Sequence, residues 1–188
     1  VNETAWSSQK KGLRVSFATT DELFFRSEVP ELDHETSVWE ITGWRGERMN
    51  AQILVWSTDT LNQVRFILKD LKHASGNLIP QKNIQMQMVR YVVGNYPYGA
   101  KDATCGASHY NELFLMPDRF ETFNRFDVPG KSVRPVWLSI DIASGTTPGT
   151  YNGNIEVRSD KESAILGIKI NVQNQLLPEP RDWKHRLD

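Results

Sequence analysis

Cys105 and His109 lie four residues apart in "GNYPYGAKDATCGASHYNE", residues 94–112. A thiol beside an imidazole can act as an activated nucleophile, but it also needs an orienting group and an oxyanion site. Neither is visible in the sequence around this pair. A zinc site needs about four ligands, and two are too few. His34, His73 and His185 show no paired spacing. The expected roles are a small packed thiol and a solvated imidazole, with no metal and no cofactor.

Asp21-Glu22 is the sole adjacent Asp-Glu pair. Paired carboxylates serve as acid and base in glycoside hydrolysis. This pair falls in the polar stretch "DELFFRSEVPELDHE" (21–35), with no sign of the burial that raises a carboxyl pKa. A solvated loop is the expectation, with one short strand near Phe24. Asp70, Asp118 and Asp141 are isolated, and turn or strand-edge roles suffice for them. Six tryptophans are many for 188 residues, and exposed rings can stack on sugars. Trp44, Trp56, Tyr96 and Tyr98 flank loops or fall off the apolar faces, so they are the carbohydrate-contact candidates. Packing against the core or a neighbouring domain competes with that role and carries more weight. Phosphate-cradling glycine loops and nucleophile elbows are lacking.

These residues need a scaffold, and the scaffold reads as all-β. Helical periodicity is scarce and alternation is common. Leu13, Val15 and Phe17 alternate with polar residues, and Val38–Ile41 makes a second strand. Met49, Ala51, Ile53 and Val55 share a face opposite Asn50 and Gln52. Val64, Phe66 and Leu68 alternate next. In 83–93 the pattern changes phase. Ile84, Met86 and Met88 share one face, then Val89, Tyr91 and Val93 the other. That predicts a bulge near Met88–Val89 or a crossing between sheets. A possible strand at 113–116 and a β-like stretch at 122–128 follow the long loop.

"RPVWLSIDIASGTTPGTYNGNIEV" (134–157) is the clearest signal, two strands joined at Pro148-Gly149. Asn152-Gly153 resembles a hairpin turn. However, Tyr151, Gly153, Ile155 and Val157 keep one alternation straight through it. Gly153 is instead expected to admit a neighbouring ring or a sharp twist. The last strand spans 164–172. About eight strands are expected, in an antiparallel immunoglobulin-like β-sandwich over residues 1–175. One cysteine excludes the immunoglobulin disulfide. Residues 176–188 read as a proline-stiffened linker.

The charge balance of 22 basic and 23 acidic residues argues against nucleic acid. No apolar run approaches the ~20 residues of a membrane helix. A start at Val1 fits a removed signal peptide or a trimmed chain. Asn2-Glu3-Thr4 fits a glycosylation sequon.

"GWRGERMNAQILVWS", "LKDL", "RYVVGNYP", the 134–157 hairpin and "LPEPRDW" occur in an order that resembles the N-terminal β-sandwich of glycoside hydrolase family 123. The resemblance covers roughly residues 36–188. It implies an extracytoplasmic protein in which the sandwich precedes a (β/α)₈ barrel. In that family the barrel cleaves terminal β-linked N-acetylgalactosamine with an aspartate-glutamate pair, helped by the substrate's acetamido group. Those residues belong to the barrel, so the implied role of this chain is a non-catalytic accessory domain. Its implied partner is the catalytic domain of the same protein, with glycan as a further candidate. Gly46, Glu47 and Arg48 match the family pattern, and Glu47 is expected to pair with Arg48. The alternative is a stand-alone carbohydrate-binding or cell-surface interaction module.

Overall fold

The computed structural model describes residues 2–94 and 114–183. It begins with a short helix, α1 (Glu3–Ser7), capped by the Asn2 side chain, which accepts from the Ala5 N–H at 3.1 Å. The described strands are β1 (Arg14–Ala18), β2 (Val38–Arg45), β3 (Arg48–Ser57), β4 (Leu61–Leu68), β5 (Leu71–His73) and β6 (Leu78–Ile79). They continue with β7 (Ile84–Gly94), β8 (Phe114–Glu121), β9 (Phe126–Val128), β10 (Ser132–Asp141), β11 (Gly149–Arg158) and β12 (Ser163–Leu176). Among the described residues the strands number twelve, against the eight expected. No helix among them is long and apolar enough to cross a membrane.

Two sheets form a sandwich. One has the order β1-β3-β10-β7-β8 and the other β2-β12-β11-β4-β9, with β5 and β6 attached beside β11. The sandwich is antiparallel-rich, as expected, with one parallel pairing, β2 with β12. The alternation read from sequence defines the interior. Met49, Ala51, Ile53 and Val55 of β3 and Val136, Leu138 and Ile140 of β10 are buried in the main core. They share it with Tyr151, Ile155 and Val157 of β11 and Leu166, Ile168 and Ile170 of β12.

The first sheet is covered on its second face as well. Trp6, Phe24, Leu54, Trp56 and Val133 form a separate buried cluster, closed by α1 and the segment after β1. The stretch 21–35 is therefore more than a solvated loop, and no strand forms near Phe24.

This second layer also explains the phase change in β7. Ile84 and Met86 pack on the main core. Farther along, Tyr91 donates its hydroxyl to the Phe24 carbonyl at 2.8 Å, within the second layer. The covered face switches for Val89 and Tyr91, whereas Val93, at 66% exposure, lies beyond the cover. The strand stays in one sheet, and its register irregularity lies between Arg90 and Tyr91 rather than at Met88–Val89. Arg119 and Pro117 sit opposite those two residues, so Asp118 is left out of the ladder. Pro117 has no N–H to offer there.

β11 runs unbroken through Asn152-Gly153, as its alternation predicted. The neighbour that requires Gly153 is Leu71 rather than an aromatic ring, since a Cβ would meet Leu71 Cδ2 at 2.3 Å. Gly149 adopts the positive φ (+137°) of its turn.

Candidate functional site

The turn between β2 and β3 carries the chain from one sheet to the other, and the chain leaves β12 beside it. Gly46 makes the turn with φ +82°. Its N–H donates to the Ile142 carbonyl at 2.7 Å, and the Ile142 N–H donates to the Glu47 carbonyl at 2.9 Å. The Leu177 N–H donates to the Arg45 carbonyl at 2.8 Å. Arg45 Nη2 donates to the Asn174 carbonyl at 2.9 Å. A Cβ on Gly46 would lie 3.2 Å from the Leu177 carbonyl oxygen. Turn and exit are thus one hydrogen-bonded unit.

Glu47 and Arg48 do not pair with each other, contrary to expectation. Glu47 Oε2 accepts from the Trp44 N–H at 2.7 Å. Arg48 donates from Nε and Nη2 to the two Asp141 oxygens at 2.6 and 2.8 Å. These hydrogen bonds hold the Asp141 carboxyl below its ordinary pKa, with burial opposing. Glu47 lies in the turn, where its carboxylate is taken by the Trp44 N–H, while Arg48 opens β3 directly opposite Asp141.

Around this unit several apolar side chains stay in water. Trp44 is 45% exposed, Leu176 48% and Trp183 49%. Trp183 Nε1 donates to the Pro178 carbonyl at 2.8 Å, which folds the tail back on itself. Register places Arg45, next to Trp44, opposite Leu176.

The two predicted contact residues that are described, Trp44 and Trp56, have different settings. Trp44 is exposed on β2, whereas Trp56 is buried in the second cluster at 2% exposure. The Arg14 guanidinium lies 5.7 Å from the Trp56 ring centroid and is ion-paired with Glu35. Trp56 has no open face for a sugar, because β3 is covered on both sides. Tyr96, Tyr98, Cys105, His109 and His185 lie outside the described residues. Asp21 and Glu22 are exposed. His73 has a structural setting, with its ring 5.3 Å from that of Tyr151 and Nδ1 2.6 Å from Ser75 Oγ. No group of three metal-ligating side chains occurs among the described residues.

Several carboxylates are engaged by the fold itself. Asp70 accepts from the Gln81 N–H at 2.7 Å and Asp127 from the Gln63 N–H at 2.8 Å. Glu121 accepts from Arg90 at 2.8 and 2.9 Å, which lowers its pKa.

Sequence reasoning missed a groove of about 650 Å³ on the outer face of the second sheet. Asn152, Asn154, Lys69, Lys72 and the exposed Ile165 are among its lining residues. The outward alternation of Asn152, Asn154 and Glu156 was the available signal.

The sequence profile described as the glycoside hydrolase 123 N-terminal domain matches residues 17–159. A family 123 glycoside hydrolase from Clostridium perfringens, described in a study of glycolipid glycan hydrolysis, superposes with a TM-score of 0.76 at 22% identity. That match covers 90% of this chain and 28% of the other, so the chain spans little more than a quarter of that relative. AvmM, which catalyses macrocyclization in alchivemycin A biosynthesis, gives a TM-score of 0.41 at 8% identity, covering 90% of this chain and 94% of that one. The CooA pilin subunit from enterotoxigenic Escherichia coli gives 0.37 at 10% identity, with 86% and 98% covered. A search of curated proteins found no match.

Proposed function

Because the chain belongs to the glycoside hydrolase 123 N-terminal domain family, we propose that it is a non-catalytic accessory sandwich that orients a catalytic domain of the same protein. The whole protein would degrade N-acetylgalactosamine-containing glycans outside the cytoplasm. Residues 1–175 are the sandwich in this reading, and 176–188 lead toward the catalytic domain.

One observation carries the reading. The exit at Asn174–Leu177 is bonded to the Arg45–Gly46 turn, beside exposed Trp44, Leu176 and Trp183. A rigid exit fixes the direction of whatever follows, and exposed aromatic side chains near it suit a packed domain contact. The interior supports the same assignment, since apolar side chains fill it, and at the surface the carboxylates of Asp141 and Glu121 are held by arginines.

The test compares this chain with the full-length protein on a β-linked N-acetylgalactosaminide. The full-length protein should hydrolyse it and residues 1–188 should not. Turnover by 1–188 alone would overturn the assignment. In the full-length protein, Trp44→Ala with Trp183→Ala should increase proteolytic cutting between the two domains.

A second reading, a carbohydrate-binding module, draws on the outer-sheet groove with its Asn152 and Asn154 amides. Calorimetric titration with neutral oligosaccharides distinguishes it. Binding lost in Asn152→Ala/Asn154→Ala would favour the module.

A further inference from the structure

We infer that a cleft between Arg26 and Arg134 binds a single oxyanion, the sulfate or carboxylate group of an acidic sugar. The anion site stands on its own geometry, and the choice of a sugar as its carrier rests on the glycan-degrading role proposed above.

The cleft arises where the first sheet forks. β7 pairs β10 only as far as Met88 opposite Val136, and from Met88 onward it pairs β8. The segment after β1 fills the gap. The Val133 N–H donates to the Arg26 carbonyl at 2.9 Å, and Tyr91 donates to the Phe24 carbonyl. Within the fork is a pocket of about 180 Å³ lined by Arg26, Arg90, Arg119, Arg134 and Tyr91, with Met88 and Val89.

Its charges do not balance. Arg90 and Arg119 both bind Glu121. Among the described residues, neither Arg26 nor Arg134 has a carboxylate partner. Arg134 Nη1 donates to the Val133 carbonyl at 3.1 Å, which leaves the other N–H groups of its fork unassigned. Arg134 is partly buried, and burial, with Arg26 next in effect, holds its pKa below the ordinary arginine value. Tyr91 cannot supply the missing negative charge. Burial pushes its phenol well above the usual range, and its O–H is donated to Phe24.

Two like charges in a partly desolvated cleft favour an external anion. The planar guanidinium fork matches a carboxylate or sulfate edge. Pockets that enclose whole drug-sized ligands span roughly 300–1,000 Å³, so this one suits a charged substituent rather than a complete saccharide.

The experiment titrates the chain with sodium sulfate, sodium glucuronate and neutral methyl glucoside, with sodium chloride at matched ionic strength as baseline. Calorimetry and thermal melting are both read. Sulfate or glucuronate should bind and raise Tm beyond chloride, while methyl glucoside should not. Arg26→Gln should weaken binding at least tenfold and should not lower Tm without anion, because it removes a repulsion. Arg134→Gln tests the second arm, and if that variant fails to fold, Arg26→Gln decides alone. Glucuronate binding at least tenfold tighter than sulfate identifies a sugar acid, and equal or tighter sulfate binding identifies a sulfate group or the free ion. Shifts no larger than those of chloride, or binding undiminished in Arg26→Gln, would overturn the site.

Discussion

Arg48 and Asp141 face each other across the β3–β10 ladder and close a two-pronged ion pair, although 93 residues separate them in the chain. Both side chains are about half exposed, so solvent screens the pair. Asp141→Asn should cost about 0.5 kcal/mol near neutral pH, within the range of surface pairs. The Asp141 pKa is depressed in the fold. The contribution is therefore complete above the ordinary carboxyl value of about 3.9 and disappears as pH falls through the depressed value. Urea midpoints of wild type and Asp141→Asn should differ at neutral pH and converge in acid.

Tyr91 behaves in the opposite sense. Its phenol has a raised pKa in the fold, chiefly through burial. The protonated form is favoured by folding, so stability is intact below about pH 10 and declines as pH climbs above it. Tyr91→Phe should lose about 1 kcal/mol at neutral pH from the bond to Phe24. It should also show a flatter decline in alkali. A wild-type decline reproduced unchanged in Tyr91→Phe would assign the alkaline sensitivity elsewhere.

Tyr151 is fully buried and donates its hydroxyl back to the Thr147 carbonyl at 2.8 Å, across the Pro148-Gly149 turn. Tyr151→Phe keeps the ring and removes that bond. A loss of about 1 kcal/mol is expected in chemical denaturation.

Gly46→Ala tests the coupling of turn and exit. A methyl group there meets a positive φ and the Leu177 carbonyl together. The expected cost is about 1–3 kcal/mol. Amide exchange at Leu177 should quicken more than exchange in the core of β12.

The two tryptophans proposed for sugar contact should part company. Trp56→Ala empties a site in the second cluster and should cost about 3–5 kcal/mol. Trp56→Phe should be milder, since Trp56 Nε1 has no hydrogen-bond partner among the described residues. Trp44→Ala should change stability by no more than about 0.5 kcal/mol, as surface substitutions do. Thermal melts of the three variants rank them.

Much of the sandwich was legible in the chain itself. A strand's side chains alternate because the backbone is pleated, which is a local property. Met49, Ala51, Ile53 and Val55 therefore declared their shared face, and Tyr151 through Val157 excluded a turn at Asn152-Gly153. Other features depended on distant segments. Trp56 reads as outward by alternation, yet it is buried because Trp6 and Phe24 cover that face. The parallel pairing of β2 with β12, the partnership of Arg48 with Asp141 and the Arg26–Arg134 cleft follow from which segments the fold sets side by side. Alternation gives each strand its two faces, and only tertiary packing decides what covers them and which charges meet.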